Sequence, residues 1–285
     1  MLFSSPITSV IKARSSWRNF SSKKVDSKKI QKIEQLIHQN NIISPFGGTT
    51  KFKFIQLPSL DPVELKKLGT YGRIEGAENF LLGIIKPSKY DQENIGYVME
   101  TMILQITDLG LGTCWLGGSF NRSAFSEKAQ LEEDELLPVI SPIGELPNKT
   151  AFKNRFLNNL LKKRKRKPWS ECFFLGGVDI PLTSEDSEDY EKVLDMVRLA
   201  PSAYNRQPWR IIKDPETNNY HFYYDNNGKN HSSDFPNYHR IDLGISVAHF
   251  DLTCQELGLE GTWSFKEPKY EVPENFVYLI SWFGA

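Results

Sequence analysis

The chain carries two imperfect copies of one long pattern, and this duplication constrains its fold more than any single motif does. Three segments recur in the same order: 25–37 as 185–197, 95–115 as 243–263, and 140–144 as 280–284. The middle pair aligns without a gap and places Trp115 opposite Trp263, at an offset of 148 residues. A repeat of this length exceeds the unit of a solenoid, so it indicates a duplicated domain. We therefore predict two lobes, residues 1–170 and 171–285.

Each copy mixes helices with short strands. An apolar stripe at helical spacing predicts a long central helix over 95–109, and capping signals predict helices over about 6–13 and from Asp26 or Ser27 onwards. Apolar segments predict strands over 51–57, 137–142, 209–212 and 276–283, with a hairpin at 225–228. The order of these elements favours an α+β fold that occurs twice.

Composition places the chain among ordinary soluble globular proteins. Lys plus Arg and Asp plus Glu each number 35, so no bulk field attracts nucleic acid or an anionic membrane. No stretch approaches the roughly 18 apolar residues of a membrane span, and the N-terminus lacks the apolar core of a signal peptide. The three cysteines are too scattered for a disulfide framework or a zinc site. We expect a cytoplasmic protein without a bound metal.

Four polar segments are candidates for chemistry, and each also has an ordinary structural interpretation. They are Arg14-Ser15-Ser16-Trp17-Arg18, the glycine pair Gly117-Gly118, the basic run 162–167, and the loop Pro201-Ser202-Ala203-Tyr204-Asn205. Two guanidinium groups and two hydroxyls within five residues can hold a phosphate, although a solvated basic turn has the same composition. Bare glycine amides can approach a planar ligand closely, and a loop with asparagine is also typical of a simple turn.

These polar segments are not duplicated with the scaffold. The first lobe's counterpart of the 201–205 loop, residues 44–48, contains no asparagine. The second lobe's counterpart of the 14–18 segment is the acidic stretch 183–189, which repels a phosphate. The residues Phe265-Lys266 stand where a second glycine pair would be. Residue types alone therefore predict one complete site and one incomplete site.

Taken together, the segments resemble those of the FMN-dependent nitroreductase family over nearly the whole chain. The matching stretches are RSSWRNF (14–20), LGLGTCWLGGSF (109–120), SPIGEL (141–146) and APSAYNRQPWR (200–210). In that family each FMN lies where two subunits meet, and the asparagine loop comes from the partner of the subunit that supplies the other segments. The resemblance therefore implies a nitroreductase-like fold, a fused pseudo-dimer that is a monomer in solution, and one FMN site.

The resemblance also implies a role for each matching position. The phosphate motif matches Arg14, Ser15, Ser16 and Arg18, and the two late basic residues that close over the phosphate match Arg164 and Arg166. The backbone positions whose amides approach flavin N5 and O4 match Gly117 and Gly118. The loop that reaches the flavin edges matches Pro201, Ser202, Ala203 and Asn205.

The activity implied by the resemblance is that of an FMN-dependent NAD(P)H oxidoreductase. FMN carries the hydride, NADH or NADPH donates it, and a nitroaromatic, a quinone or a related small molecule accepts it in ping-pong order. None of the five histidines has a convincing partner in the sequence, so we expect no histidine to act as a catalytic base. Two alternatives remain open: a flavin-binding scaffold or sensor without turnover, and a nucleic-acid-binding module that uses residues 162–167.

Overall fold

The structure, a computed structural model, describes residues 2–57, 69–70, 72–147, 166–226 and 235–285. The chain divides into two compact units. Unit 1 comprises residues 1–5 and 12–163, and unit 2 comprises residues 6–11 and 164–285. The predicted boundary lies slightly later, after residue 170, and the predicted first lobe includes the short stretch 6–11.

Unit 1 is built on an antiparallel sheet. Its strands are β1 (Thr50–Gln56), β2 (Asn79–Ile85), β3 (Gly112–Thr113) and β4 (Leu136–Gly144), in the order β1-β2-β4-β3. Its helices are α2 (Ser27–Gln39), α3 (Asp91–Asp108) and α4 (Arg122–Ala129), while α1 (Ile7–Ala13) begins in unit 2 and ends in unit 1. The sequence analysis missed β2. This strand is buried at every position, so it lacks the alternation that identifies a half-exposed strand.

Unit 2 repeats this sheet and adds one strand. Its strands are β5 (Phe173–Leu175), β6 (Trp209–Lys213), β7 (Asn219–Asp225), β8 (Gly261–Ser264) and β9 (Phe276–Gly284), in the order β5-β6-β7-β9-β8. Its helices are α5 (Ser184–Ser187), α6 (Glu191–Leu199) and α7 (Tyr238–Leu257). Strands β6 to β9 follow the same order as β1 to β4, and β5 pairs with β6 in parallel. The predicted duplication is confirmed.

Strand pairing repeats in detail as well as in order. Gly112 of β3 pairs with Gly144 of β4, and Gly261 of β8 pairs with Gly284 of β9. The central helices α3 and α7 occupy matching places in the chain and are buried over most of their length. A helix that is buried on all sides is a core helix, as the wide apolar stripe predicted.

Helix capping at α2 followed the sequence signal. The Asp26 carboxylate accepts a hydrogen bond from Lys28 N at 2.8 Å and caps α2. The hairpin predicted at 225–228 lies partly outside the described residues, and strand β7, which ends at Asp225, pairs with β6 and β9. A hairpin that was not predicted joins β6 to β7, where Asp214 accepts a hydrogen bond from Asn219 Nδ2 at 2.9 Å. An Asn-Gly pair indicates a turn without specifying the element after it, and residues 227–234 lie outside the described part.

Candidate functional site

The 14–18 segment lies against strand β3 in unit 1. Ser16 forms a parallel bridge with Thr113, and the Trp17 N–H donates to the Thr113 carbonyl at 2.8 Å. Trp17 is 4% exposed and packs in the same hydrophobic cluster as Cys114. Gly117 follows Thr113 after three residues, so the 14–18 segment lies against the strand that leads into the glycine pair.

Two paired glycines make this contact possible. A Cβ on Gly112 would lie 3.1 Å from Phe20 Cε1 and 3.2 Å from Trp17 Cγ. A Cβ on Gly144, its partner across the sheet, would lie only 2.7 Å from Phe20 Cδ1. The absence of side chains at both positions lets the aromatic rings of the 14–20 segment rest on the sheet backbone. These contacts fix the position of the segment in unit 1.

Arg14 is a buried cation that uses only part of its hydrogen-bonding capacity. Its side chain is 1% exposed, and its Nε lies 3.6 Å from Oε1 of the fully buried Glu100. Neither Nε nor Nη1 has a hydrogen-bond partner among the described residues. A buried polar group without a partner destabilises the fold, because its hydration is lost and not replaced. Arg14 therefore has donors available for an anion, at a position that the family resemblance assigns to a phosphate.

Glu100 approaches Arg14 from the central helix α3. Its Oε2 accepts a hydrogen bond from Trp115 Nε1 at 2.6 Å. The matching tryptophan of unit 2 makes a similar bond, from Trp263 Nε1 to Asp251 Oδ1 at 2.8 Å. The two acids occupy different helix positions, because the residue aligned with Glu100 is Ala248. The tryptophan–carboxylate pair is thus common to both units, whereas its position next to an arginine is a feature of unit 1.

The rest of the segment is divided between the interior and the surface. Ser15 is buried, Ser16 is half-buried and Arg18 is exposed. The thiol of Cys114 lies near Ser16 and Arg18, and burial raises its pKa against the lowering effect of Arg18 and Arg14. The thiol therefore stays protonated at neutral pH and is not an activated nucleophile. The thiol therefore adds no negative charge beside the guanidinium groups of Arg14 and Arg18.

The glycine pair begins where sheet pairing ends. Leu116 exchanges two backbone hydrogen bonds of 2.9 Å with Ile140 of β4. Beyond it, Gly117 is half-buried and Gly118 is exposed. Within the described residues, neither glycine amide donates a hydrogen bond, while the Gly117 carbonyl accepts one from Arg122 Nη2 at 2.7 Å. The two amides are thus available to a ligand.

The loop after α6 has a strained backbone in unit 2. Tyr204, Asn205 and Gln207 have φ angles of 52°, 57° and 49°, in the left-handed region that residues other than glycine seldom adopt. Each such residue costs about 1–2 kcal/mol, with asparagine at the lower end. Strain of this kind is frequent in segments that bind ligands. Asn205 is exposed at the surface of the loop, as a ligand-binding side chain needs to be.

A buried acid supports this loop. The carboxylate of Asp242, in α7, places both oxygens 3.0 Å from Ala203 N and accepts a hydrogen bond from it. Asp242 is 3% exposed. Burial raises its pKa well above the usual range, although the Ala203 N–H and Arg206 act in the opposite direction. Asp242 therefore holds the loop to the central helix of unit 2.

Arg166 contacts the same loop from the other side. Its guanidinium donates to the carbonyls of Leu199 at 2.8 Å and Ala200 at 2.7 Å, and Nη1 lies 3.3 Å from Asn205 Oδ1. A cation at these carbonyls stabilises the C-terminus of α6. The structure thus places Arg166 in unit 2 beside Asn205, and its predicted contact with a phosphate remains a prediction. Arg164 lies outside the described residues.

Three groups in unit 2 form a hydrogen-bonded series that resembles a hydrolytic triad. His221 Nε2 lies 3.0 Å from Asp214 Oδ1, and His221 Nδ1 lies 2.7 Å from Ser281 Oγ. Burial lowers the pKa of His221, opposed by Asp214, so the ring is neutral at pH 7. Ser281 is fully buried in β9, where no substrate can reach its hydroxyl. These hydrogen bonds therefore have a structural role: they connect strands β7 and β9 to the turn between β6 and β7.

Three residues that shape these segments were not predicted from the sequence: Glu100, Arg122 and Asp242. Glu100 had a usable signal, since it interrupts the apolar stripe of the helix predicted over 95–109 and a buried acid requires a partner. Asp242 lies one residue before the repeated segment 243–263. Arg122 had no usable signal, because its carbonyl partners lie on segments that only the folded chain brings together.

None of the helices in the described part of the chain has the length and apolar character needed to cross a membrane. The same residues contain no cluster of three or more His, Cys, Asp or Glu side chains that could hold a metal ion.

Comparison with known proteins gives one family. The family model described as "Putative TM nitroreductase" matches residues 6–254. A structure from Thermotoga maritima, named a "putative nitroreductase", is 21% identical, covers 98% of this chain and 94% of its own, and has a TM-score of 0.58. A nitroreductase family protein from Clostridium difficile 630 is 20% identical over 57% of this chain and 94% of its own, with a TM-score of 0.44. No curated protein matches the chain. The predicted α+β, nitroreductase-like fold is confirmed.

Proposed function

Because the chain belongs to the family described as "Putative TM nitroreductase", we propose that it is an FMN-dependent NAD(P)H oxidoreductase. Its acceptor is a nitroaromatic, a quinone or a related small molecule. The observation that carries the proposal is Arg14, a buried guanidinium whose Nε and Nη1 have no hydrogen-bond partner among the described residues. It is held next to the segment that leads into the glycine pair.

The residues of unit 1 fit a flavin phosphate. Arg14 supplies two donors that have no hydrogen-bond partner within the described part of the chain, and the hydroxyls of Ser15 and Ser16 lie in the same segment. Arg18 adds an exposed positive charge. Charge-assisted hydrogen bonds of this kind are the strong ones in phosphate recognition. Arg164 belongs to the same proposal by its alignment, and Arg166 would have to share its donors with the end of α6.

The isoalloxazine ring is assigned to backbone groups and one amide side chain. Bound FMN supplies reversible hydride transfer, and the protein supplies position and electrostatics. The amides of Gly117 and Gly118 donate to the ring where negative charge develops on reduction. The loop Pro201-Ser202-Ala203-Tyr204-Asn205 contributes Asn205, whose amide both donates and accepts and therefore suits the mixed polar edge of the ring.

We further propose one FMN per chain, in a protein that is a monomer in the cytoplasm. The support is the unequal loss of residues between the copies. The 14–18 segment and the glycine pair occur in the first copy, and the asparagine loop occurs in the second. Neither copy holds the full set, so the proposed site takes residues from both.

Anaerobic stopped-flow mixing tests the activity. The FMN-loaded chain is mixed with NADH or NADPH, and the flavin absorption is followed against free FMN at the same concentration. We expect bleaching that is faster than for free FMN, and recovery when a nitroaromatic or a quinone is added. Bound FMN that neither nicotinamide reduces faster than free FMN would instead support the non-catalytic scaffold. A chain that retains no FMN would overturn the proposal.

A further inference from the structure

Arg122 joins the glycine pair to the sheet of unit 1. It is the first residue of α4, and its Nη2 donates to the carbonyl oxygens of Gly117 at 2.7 Å and Pro138 at 3.2 Å. Its Nε donates to the carbonyl oxygen of Leu137 at 2.8 Å. The guanidinium also lies over the ring of Phe120, 5.0 Å from its centroid. A planar fork held on several sides has little freedom to rotate.

Fixing the Gly117 carbonyl also fixes the next amide. A peptide unit is planar, and in the trans form its C=O and N–H bonds point in opposite directions. The Gly117–Gly118 peptide is trans. The hydrogen bond from Arg122 therefore orients the Gly118 N–H away from the guanidinium. Gly118 is exposed, and its amide donates to no other described residue.

We propose that Arg122 is a positioning residue that aims the Gly118 N–H at N5 of the flavin. The inference rests on the proposed function and specifies which amide interacts with N5 and which side chain orients it. A donor at N5 interacts more strongly with the reduced ring, which carries more negative charge, than with the oxidised ring. Arg122 thus raises the flavin's reduction potential without touching the flavin.

The second copy of the repeat supports this assignment. Unit 2 passes from β8 to β9 through residues 265–275 without a helix, and the positions of the glycine pair hold Phe265-Lys266. The helix that carries Arg122 and the glycines that it holds thus occur together in unit 1 and are absent together from the matching part of unit 2. A residue needed only to close the sheet has no reason to accompany the glycine pair in this way.

Arg122→Lys tests the inference, because lysine keeps the positive charge and loses the fork. The measurements are the midpoint potential of bound FMN and the dissociation constants of oxidised and reduced FMN. We expect the preference for reduced over oxidised FMN to fall about tenfold, which equals a potential about 30 mV lower for a two-electron couple. The matched control is Arg198→Lys, which changes an arginine bonded to Asp195 at 3.1 Å in α6 and should leave the potential unchanged.

A purely structural role predicts a different result. Arg122→Lys would then lower the melting temperature, and the affinities for oxidised and reduced FMN would fall equally, so an unchanged potential overturns the inference. If wild-type protein binds no FMN, the proposed function fails, and the inference fails with it.

A second measurement on the wild-type chain serves if the variant does not fold. In protein labelled with ¹⁵N-glycine, the Gly118 amide resonance is expected to shift when bound FMN is reduced, and by more than the Gly117 resonance. A Gly118 resonance that does not respond to reduction would overturn the inference even though FMN binds.

Discussion

Trp115 donates a 2.6 Å hydrogen bond from its indole Nε1 to Oε2 of Glu100, inside unit 1. The other oxygen of the same carboxylate faces Arg14 Nε at 3.6 Å, too far for a hydrogen bond of good geometry. The indole N–H therefore offsets part of the negative charge of Glu100, which weakens the attraction between this carboxylate and Arg14. We infer that this pairing keeps the guanidinium donors available for a phosphate.

Trp115→Phe should test this pairing, since it removes the N–H and keeps an aromatic ring. We expect the free energy of unfolding to fall by about 1.5–3 kcal/mol, the range for hydrogen bonds to charged groups. FMN affinity should fall as well, because the Glu100 carboxylate, 3.6 Å from Arg14 Nε, loses a donor that offsets part of its negative charge and then attracts the guanidinium more strongly. The control is Trp263→Phe, which breaks the matching bond to Asp251 and should reduce stability alone. Equal FMN affinities for the two variants would show that Trp115 has no influence on Arg14.

Arg18→Ala should weaken FMN binding with little effect on stability. The side chain is exposed, and the buried Cys114 thiol beside it keeps its hydrogen bond to the Trp115 carbonyl, so stability should change little. We expect a loss of about 1.5–3 kcal/mol in binding free energy, the range for charge-assisted hydrogen bonds. Lys12→Ala removes an equally exposed cation from the nearby helix α1 and controls for the change in net charge. Titration by flavin fluorescence measures both, and equal affinities would remove Arg18 from the phosphate site.

Asn205→Gly separates the function of this side chain from its backbone conformation. Asn205 has a φ of 57°, which glycine adopts without strain, so stability should fall only through the lost hydrogen bond from Arg166 Nη1 to Asn205 Oδ1 and the added entropy of the unfolded chain. FMN affinity should fall because the amide is lost. The control is Gln130→Gly, which relieves the same left-handed backbone strain at the exposed C-cap of α4, where φ is 53°. This variant should leave FMN affinity unchanged. If Asn205→Gly bound FMN as tightly as wild type, the loop would have no part in the site.

Asp242 should make the chain less stable as pH rises. Burial raises its pKa in the folded chain above the 3.8 of an exposed aspartate, so the folded chain holds a proton that the unfolded chain releases. The contribution of this proton to the free energy of unfolding is fully present below about pH 4. It declines as pH rises toward the raised pKa of Asp242. Asp242→Asn removes this dependence. Urea denaturation between about pH 4 and pH 7 should show that the stability of wild type falls relative to that of the variant as pH rises. A difference in the free energy of unfolding that stays constant with pH would contradict a raised pKa for Asp242.

The duplicated scaffold could be predicted because both copies retain the apolar pattern of the central helix and the glycines after it. The fully buried β2 could not, since a strand apolar on both faces has no period-two signal. The 14–18 and 117–118 segments were predicted from residue types, and the structure places the first of them against β3, the strand that precedes the second. The support from Arg122 was beyond prediction, since Pro138 and Gly117 become its neighbours only when α4 packs on β4.

The stoichiometry of FMN binding tests the central claim most directly. The claim is that the two copies of the repeat supply different parts of a single site. The full chain, at a concentration well above the dissociation constant, is titrated with FMN while flavin fluorescence and protein concentration are measured. The account predicts saturation at one FMN per chain. Saturation at two FMN per chain, or no binding at all, would contradict it.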